Sequence, residues 1–180
     1  NTWLFRYFNF TFLLPLLMPL KINQDYLRSL VFGFQDALVS TTGIVVGISV
    51  GVQNKQFIIL SALVAISVEA LSMGAGQYLS EKSVHELPQS HHHDNLVFGS
   101  LLMFLSYLIG GFVTILPIFF SLPPVSSILS VIFAFIGLFF LGFFKAKLFS
   151  GKVWRSAIEM LTIGGLTTLI GLAVGLIFKI

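Results

Sequence analysis

The chain has 180 residues, of which 56% are hydrophobic and only 9% charged, with a formal net charge of +3 and no cysteine. Soluble domains carry about 25% charged residues, and a water-soluble fold of this size has too little interior for so much apolar surface. The composition therefore excludes an ordinary soluble domain, a disulfide framework and a thiolate metal site, and the small positive charge suits the flanks of membrane segments rather than a nucleic-acid surface.

The fold class that follows is all-α: a polytopic membrane protein of five helices. Residues 1–25 form an N-terminal segment, apolar and aromatic over 3–20 but interrupted by Arg6, Asn9, Pro15 and Pro19, which reads as an interfacial helix or an irregular lead-in. Residues 26–180 are expected to form one transmembrane domain. A bilayer core of about 30 Å needs about 20 apolar residues per helix. Five stretches meet this, at about 26–51, 57–80, 96–122, 125–144 and 157–178. Gln53, Asn54 and Lys55 make a polar turn after the first span. Residues 81–94 form a short His-rich linker after the second, Pro123 and Pro124 part the third from the fourth, and Ser150, Gly151 and Lys152 precede the fifth.

With the N-terminus placed in the cytoplasm, that side holds Arg6, Lys21, Arg28, Lys82, Lys145, Lys147, Lys152 and Arg155, and the far side holds only Lys55 and Lys179. The positive-inside bias therefore predicts a cytoplasmic N-terminus, a C-terminus on the far side and a cytoplasmic 81–94 linker.

Three acids fall inside the spans, where a charge costs at least about 2.5–3.5 kcal/mol and calls for a partner, a water-filled path or a ligand. Asp36 in the first helix lies about 15 Å deep, and Glu69 in the antiparallel second helix about 16 Å deep from the same side, at 1.5 Å per residue. Glu69, Met73 and Gln77 recur at i, i+4 and i+8 and share one helix face. That face offers an anionic oxygen, a thioether sulfur and an amide oxygen. First-row transition metals tolerate such a mixture, whereas alkaline-earth cations gain little from sulfur. Membrane carboxylates also suit an exchange of protons for metal. The alternatives are that Asp36 relieves a local helix distortion, that Glu69 bonds to Ser67 or Ser72, and that Met73 only packs. Glu159, four residues from Arg155, reads as an interfacial ion pair. In the linker, His85, Glu86, His91, His92, His93 and Asp94 are candidates for capturing metal at the cytoplasmic mouth, or else a solvated polar loop. Gly43, Gly47 and Gly51, with Gly171 and Gly175, make small-xxx-small patterns that pack helices within one chain or between two.

The same residues carry a family resemblance. The stretch LRSLVFGFQDALVSTTGIVVGISVG (27–51) resembles the first helix of the vacuolar iron transporter family, EALSMGAGQYLSEKS (69–83) is similar to its second-helix signature, and KAKLFSGKVWRSAIEMLTIGGL (145–166) to its junction between helices four and five. The resemblance implies a homodimer of five-span subunits, joined near the first helices, that exports iron(II) and often manganese(II) from the cytoplasm in exchange for protons. It matches Asp36 and Met73 to the family's transport-path aspartate and methionine. Gln35 stands where Asn is usual, Ala37 where Gly is usual and Gln77 where Glu is common, while Glu69 takes a position usually small. The cytoplasmic metal-binding helical domain of many members has no counterpart, so the chain resembles a short member without it.

The function expected is therefore a divalent transition-metal transporter. Its partners are the transported iron(II) or manganese(II) ion, protons, the lipid membrane and a second copy, with no permanently bound cofactor and no nucleic acid. The competing reading is a non-transporting scaffold or assembly subunit. An enzyme is not expected: HExxH and paired aspartates on adjacent helices are missing, and the GxSxG string at Gly47 to Gly51 lies inside the first span, not at a strand-to-helix elbow. A prokaryotic inner membrane is the expected location, with a vacuolar or other endomembrane as the alternative.

Overall fold

A computed structural model describes residues 24–52, 54–86, 95–148 and 152–179. They form five helices: α1 (Gln24–Gly51), α2 (Lys55–His85), α3 (Leu96–Phe120), α4 (Val125–Leu148) and α5 (Val153–Ile177). Each is long and apolar enough to cross a membrane, and no strand occurs among the described residues. The protein is an all-α integral membrane protein.

The five expected spans are all present, with shifted ends. α1 begins at Gln24, and residues 1–23, which include the interrupted apolar segment, lie outside the described residues. The largest shift is in α2, which runs on through Glu81–His85, residues expected to belong to the linker. Nothing in that stretch breaks a helix before Pro88, and the pairs Gln77–Glu81 and Lys82–Glu86 reinforce it at i, i+4 spacing. α4 likewise continues past 144 to Leu148, and α5 starts at Val153 rather than 157.

α1 is the hub and packs against all four other helices. Its small residues permit this. Gly33 meets Met103 and Ser106 of α3, while Gly43, Gly47 and Gly51 meet Thr167, Gly171 and Gly175 of α5. The two glycine patterns of the sequence thus face each other within one chain. Leu60 and Leu71 on α2, Ile128 on α4 and Leu169 on α5 point outward, the arrangement expected where lipid rather than water surrounds the bundle.

Several hydroxyls in the spans bond the carbonyl one turn back, since lipid offers no partner: Ser100 donates to Leu96 O at 2.7 Å, and Thr162 to Ile158 O at 2.8 Å. Asn54 and Asn95 cap α2 and α3, accepting from Phe57 N and Phe98 N, each at 3.1 Å. At one end of the bundle Arg28 of α1 reaches Glu81 of α2 at 2.6 Å. At the other, Lys55 donates to Phe119 O at 2.9 Å.

Candidate functional site

Asp36 and Ser40, one turn apart on α1, face Glu69, Ser72 and Met73 on α2 across an open cavity of about 250 Å³. The i, i+4 spacing on α1 and the i, i+3, i+4 spacing on α2 place each set on one helix face. Both acids are half-buried, and none of the five lining residues is basic. Two carboxylates sharing a cavity with no cationic neighbour in its lining set up a demand for a cation. Met73 adds a sulfur while packing against the buried cluster of Ala37, Ala70 and Tyr107.

The two acids are held differently. Glu69 accepts from the hydroxyl of Tyr107 and, at 3.2 Å, from that of Ser40, both bonds ending on Oε2. Ser40 Oγ and the Tyr107 hydroxyl oxygen are themselves 2.6 Å apart. Asp36 has no hydrogen-bond or ion-pair partner among the described residues. The alternative partners weighed for Glu69 are not used: Ser67 donates to Leu63 O of its own helix at 2.8 Å, and Ser72 lines the cavity without bonding Glu69.

Gln77 shares the helix face of Glu69 and Met73 but lies outside this cavity. Its amide donates to Glu81 at 2.9 Å in a separate, tighter cleft with Asp25, Tyr26 and Ser29, beside the Arg28–Glu81 pair. His85 belongs to the last turn of α2, its Nδ1 2.9 Å from Glu81 O, and Glu86 pairs with Lys82 at 3.9 Å. His91, His92, His93 and Asp94 lie outside the described residues. Among the described residues no three His, Cys, Asp or Glu side chains cluster as metal ligands. Glu159 pairs with Arg155 at 2.9 Å on the exposed face of α5, away from the cavity.

Ser40 and Tyr107 were not marked by the sequence. A serine four residues from an intramembrane aspartate is a weak signal available there. A tyrosine on α3 carries none, because only the packing of three helices brings its hydroxyl to Glu69.

The family model of the VIT family matches residues 27–97 and 86–176, which spans all five helices. No curated protein matches the chain.

Proposed function

We propose, from the premise that this chain belongs to the VIT family, that it carries iron(II) or manganese(II) out of the cytoplasm in exchange for protons. The family is one of membrane metal-ion transporters, not of enzymes. The observation that carries the finer reading is the cavity between α1 and α2, where Asp36, Glu69 and Met73 converge without a basic residue in the lining. Oxygen and thioether donors together favour a first-row transition metal over calcium or magnesium. Carboxylates bind metal only when deprotonated, so uptake and release of the ion are linked to proton traffic.

The charge pattern supports the orientation on which this reading rests. Arg28, Lys82, Lys145, Lys147, Lys152 and Arg155 gather at the end of the bundle where α1 begins, against Lys55 and Lys179 at the other, and the positive-inside bias favours the first end as the cytoplasmic one. A homodimer completes the reading. The cavity shares Ser40 in its lining with an apolar groove of about 540 Å³ between α1 and α5, lined by Gly43, Ile44, Gly47 and Gly171. A second copy seated along α1 would cover that groove and keep lipid from the two carboxylates.

The test is flux into proteoliposomes under a pH gradient, with iron(II), manganese(II), zinc(II), cobalt(II) and nickel(II) compared. Iron(II) or manganese(II) should move through the wild type and not through Asp36→Ala. Absence of flux for every ion would leave a scaffold as the reading, and equal flux through Asp36→Ala would remove the cavity from the path.

A further inference from the structure

The largest fully buried side chain among the described residues stands beside the acids. Tyr107 is 0% exposed, and its ring packs against Ala37 and Ala70, also 0% exposed. These alanines are the chain neighbours of Asp36 and Glu69, so the ring is wedged between the two helices that carry the carboxylates, at their level. A buried tyrosine needs a partner for its hydroxyl. Here the partner is Glu69 Oε2, which Ser40 also engages, at 3.2 Å. Oε1 of Glu69 carries neither bond.

We propose that Tyr107 is a positioning residue for the cation site, and this rests on the transport reading above. Its ring sets the spacing of α1 and α2, and its hydroxyl, with Ser40, ties down one oxygen of Glu69 so that the other is presented singly to the ion. That constraint bears on selectivity. Calcium takes 6–8 oxygens at about 2.3–2.6 Å, commonly with both oxygens of a carboxylate, whereas smaller first-row ions are served by single oxygens at shorter distance. With Oε2 occupied, Glu69 is a poor bidentate ligand. The clamp therefore favours the small ion twice over, by orienting Oε1 and by withholding Oε2.

The measurement is manganese(II) binding to the purified full chain in detergent, followed by electron paramagnetic resonance, with calcium as competitor. Tyr107→Phe keeps the ring and removes only the hydroxyl. Its manganese affinity should fall about 10–100-fold, the usual effect of losing a group that orients a metal ligand. Calcium should compete better relative to manganese than it does in the wild type. Ser40→Ala should move both readouts in the same direction. In a Glu69→Gln background, Tyr107→Phe should cause no further loss, because the residue through which it acts has already been altered. A merely structural tyrosine would lower affinity for both ions without changing their ratio, and would do so in the Glu69→Gln background as well; that result, or unchanged affinity in Tyr107→Phe, overturns the inference. The two readings separate cleanly. If the wild type binds manganese and Asp36→Ala does not, while Tyr107→Phe equals the wild type, this inference fails alone; if the wild type binds none, the transport reading fails with it.

Discussion

The seam between α1 and α5 is the place where one methyl group should do most damage. A Cβ on Gly47 would lie 2.8 Å from the backbone oxygen of Gly171, and methyls on Gly171 and Gly175 would press closer still on the carbonyls of Gly43 and Gly47. Backbone cannot rotate away as a side chain can. To restore a carbon–oxygen contact of about 3.4 Å at Gly47 the helices must part by about 0.6 Å, and a gap of 0.5–1 Å forfeits a quarter to a half of the dispersion along the parted surfaces. Overpacking of this kind costs about 1–3 kcal/mol. The better helix propensity of Ala over Gly, about 1 kcal/mol, offsets part of it. Gly171→Ala, whose Cβ presses closer on the Gly43 carbonyl than one at Gly47 does on Gly171, falls at the top of that range and, less the propensity gain, should destabilise the bundle by a net of about 2 kcal/mol. Gly76 is the internal control: nothing lies within 4 Å of a Cβ built there. Gly76→Ala should leave stability unchanged or raise it by up to about 1 kcal/mol. Thermal and denaturant unfolding of the purified variants in detergent, read by loss of the monodisperse species, measures both. A Gly171→Ala protein as stable as the wild type would refute the packing, as would equal damage from Gly76→Ala.

Other outcomes follow from the cavity and its surroundings. Asp36→Asn keeps shape and removes the charge of an acid with no partner among the described residues; manganese affinity should drop at least about tenfold with the fold intact, as judged by binding and melting together. Met73→Leu is a volume-conserving exchange costing under about 1.5 kcal/mol. It should narrow the preference for iron(II) over magnesium in a flux panel, and an unchanged ratio would take the sulfur out of the site. Arg155→Ala breaks an exposed i, i+4 pair and should cost no more than about 0.5 kcal/mol. Arg28→Ala should cost more in the same unfolding assay, because it severs a contact between α1 and α2 and leaves Glu81, only 17% exposed, without that partner.

The sequence carried the spans well, because five long apolar stretches punctuated by polar turns and a Pro-Pro pair have few other solutions in 180 residues. Their ends were less legible. Residues 81–85 are polar and so read as a linker, yet nothing in them opposes helix, and α2 simply continues through them. Asp36 and Glu69 were legible because charge is expensive in lipid, and their common depth followed from counting residues from one side. Which faces they present was not legible, and neither was Tyr107, since hydropathy and helical period describe one helix at a time. The glycines lay between these cases. Both small-xxx-small patterns stood out, but that each is the other's partner within the chain is a matter of tertiary packing.

That in-chain pairing sharpens the question of what covers α1. The glycines contact α5 while Ser40 and Ile44 line the open groove, and Ser40 also lines the carboxylate cavity. Each mid-membrane charge costs at least about 2.5–3.5 kcal/mol if lipid reaches it. A cover made of protein is therefore favoured, and in the proposed homodimer a second copy of the chain would bring the same stripe of α1 in two-fold register. The chain contains no cysteine, so a single introduced thiol reports on its own position alone. Ile44→Cys, oxidised in native membranes, should give a crosslinked dimer. Leu169→Cys on the outward face of α5, where the native side chain is 61% exposed, should stay monomeric. Crosslinking at Leu169 with none at Ile44 would move the interface off α1, and the two acids would then need some other cover from the bilayer.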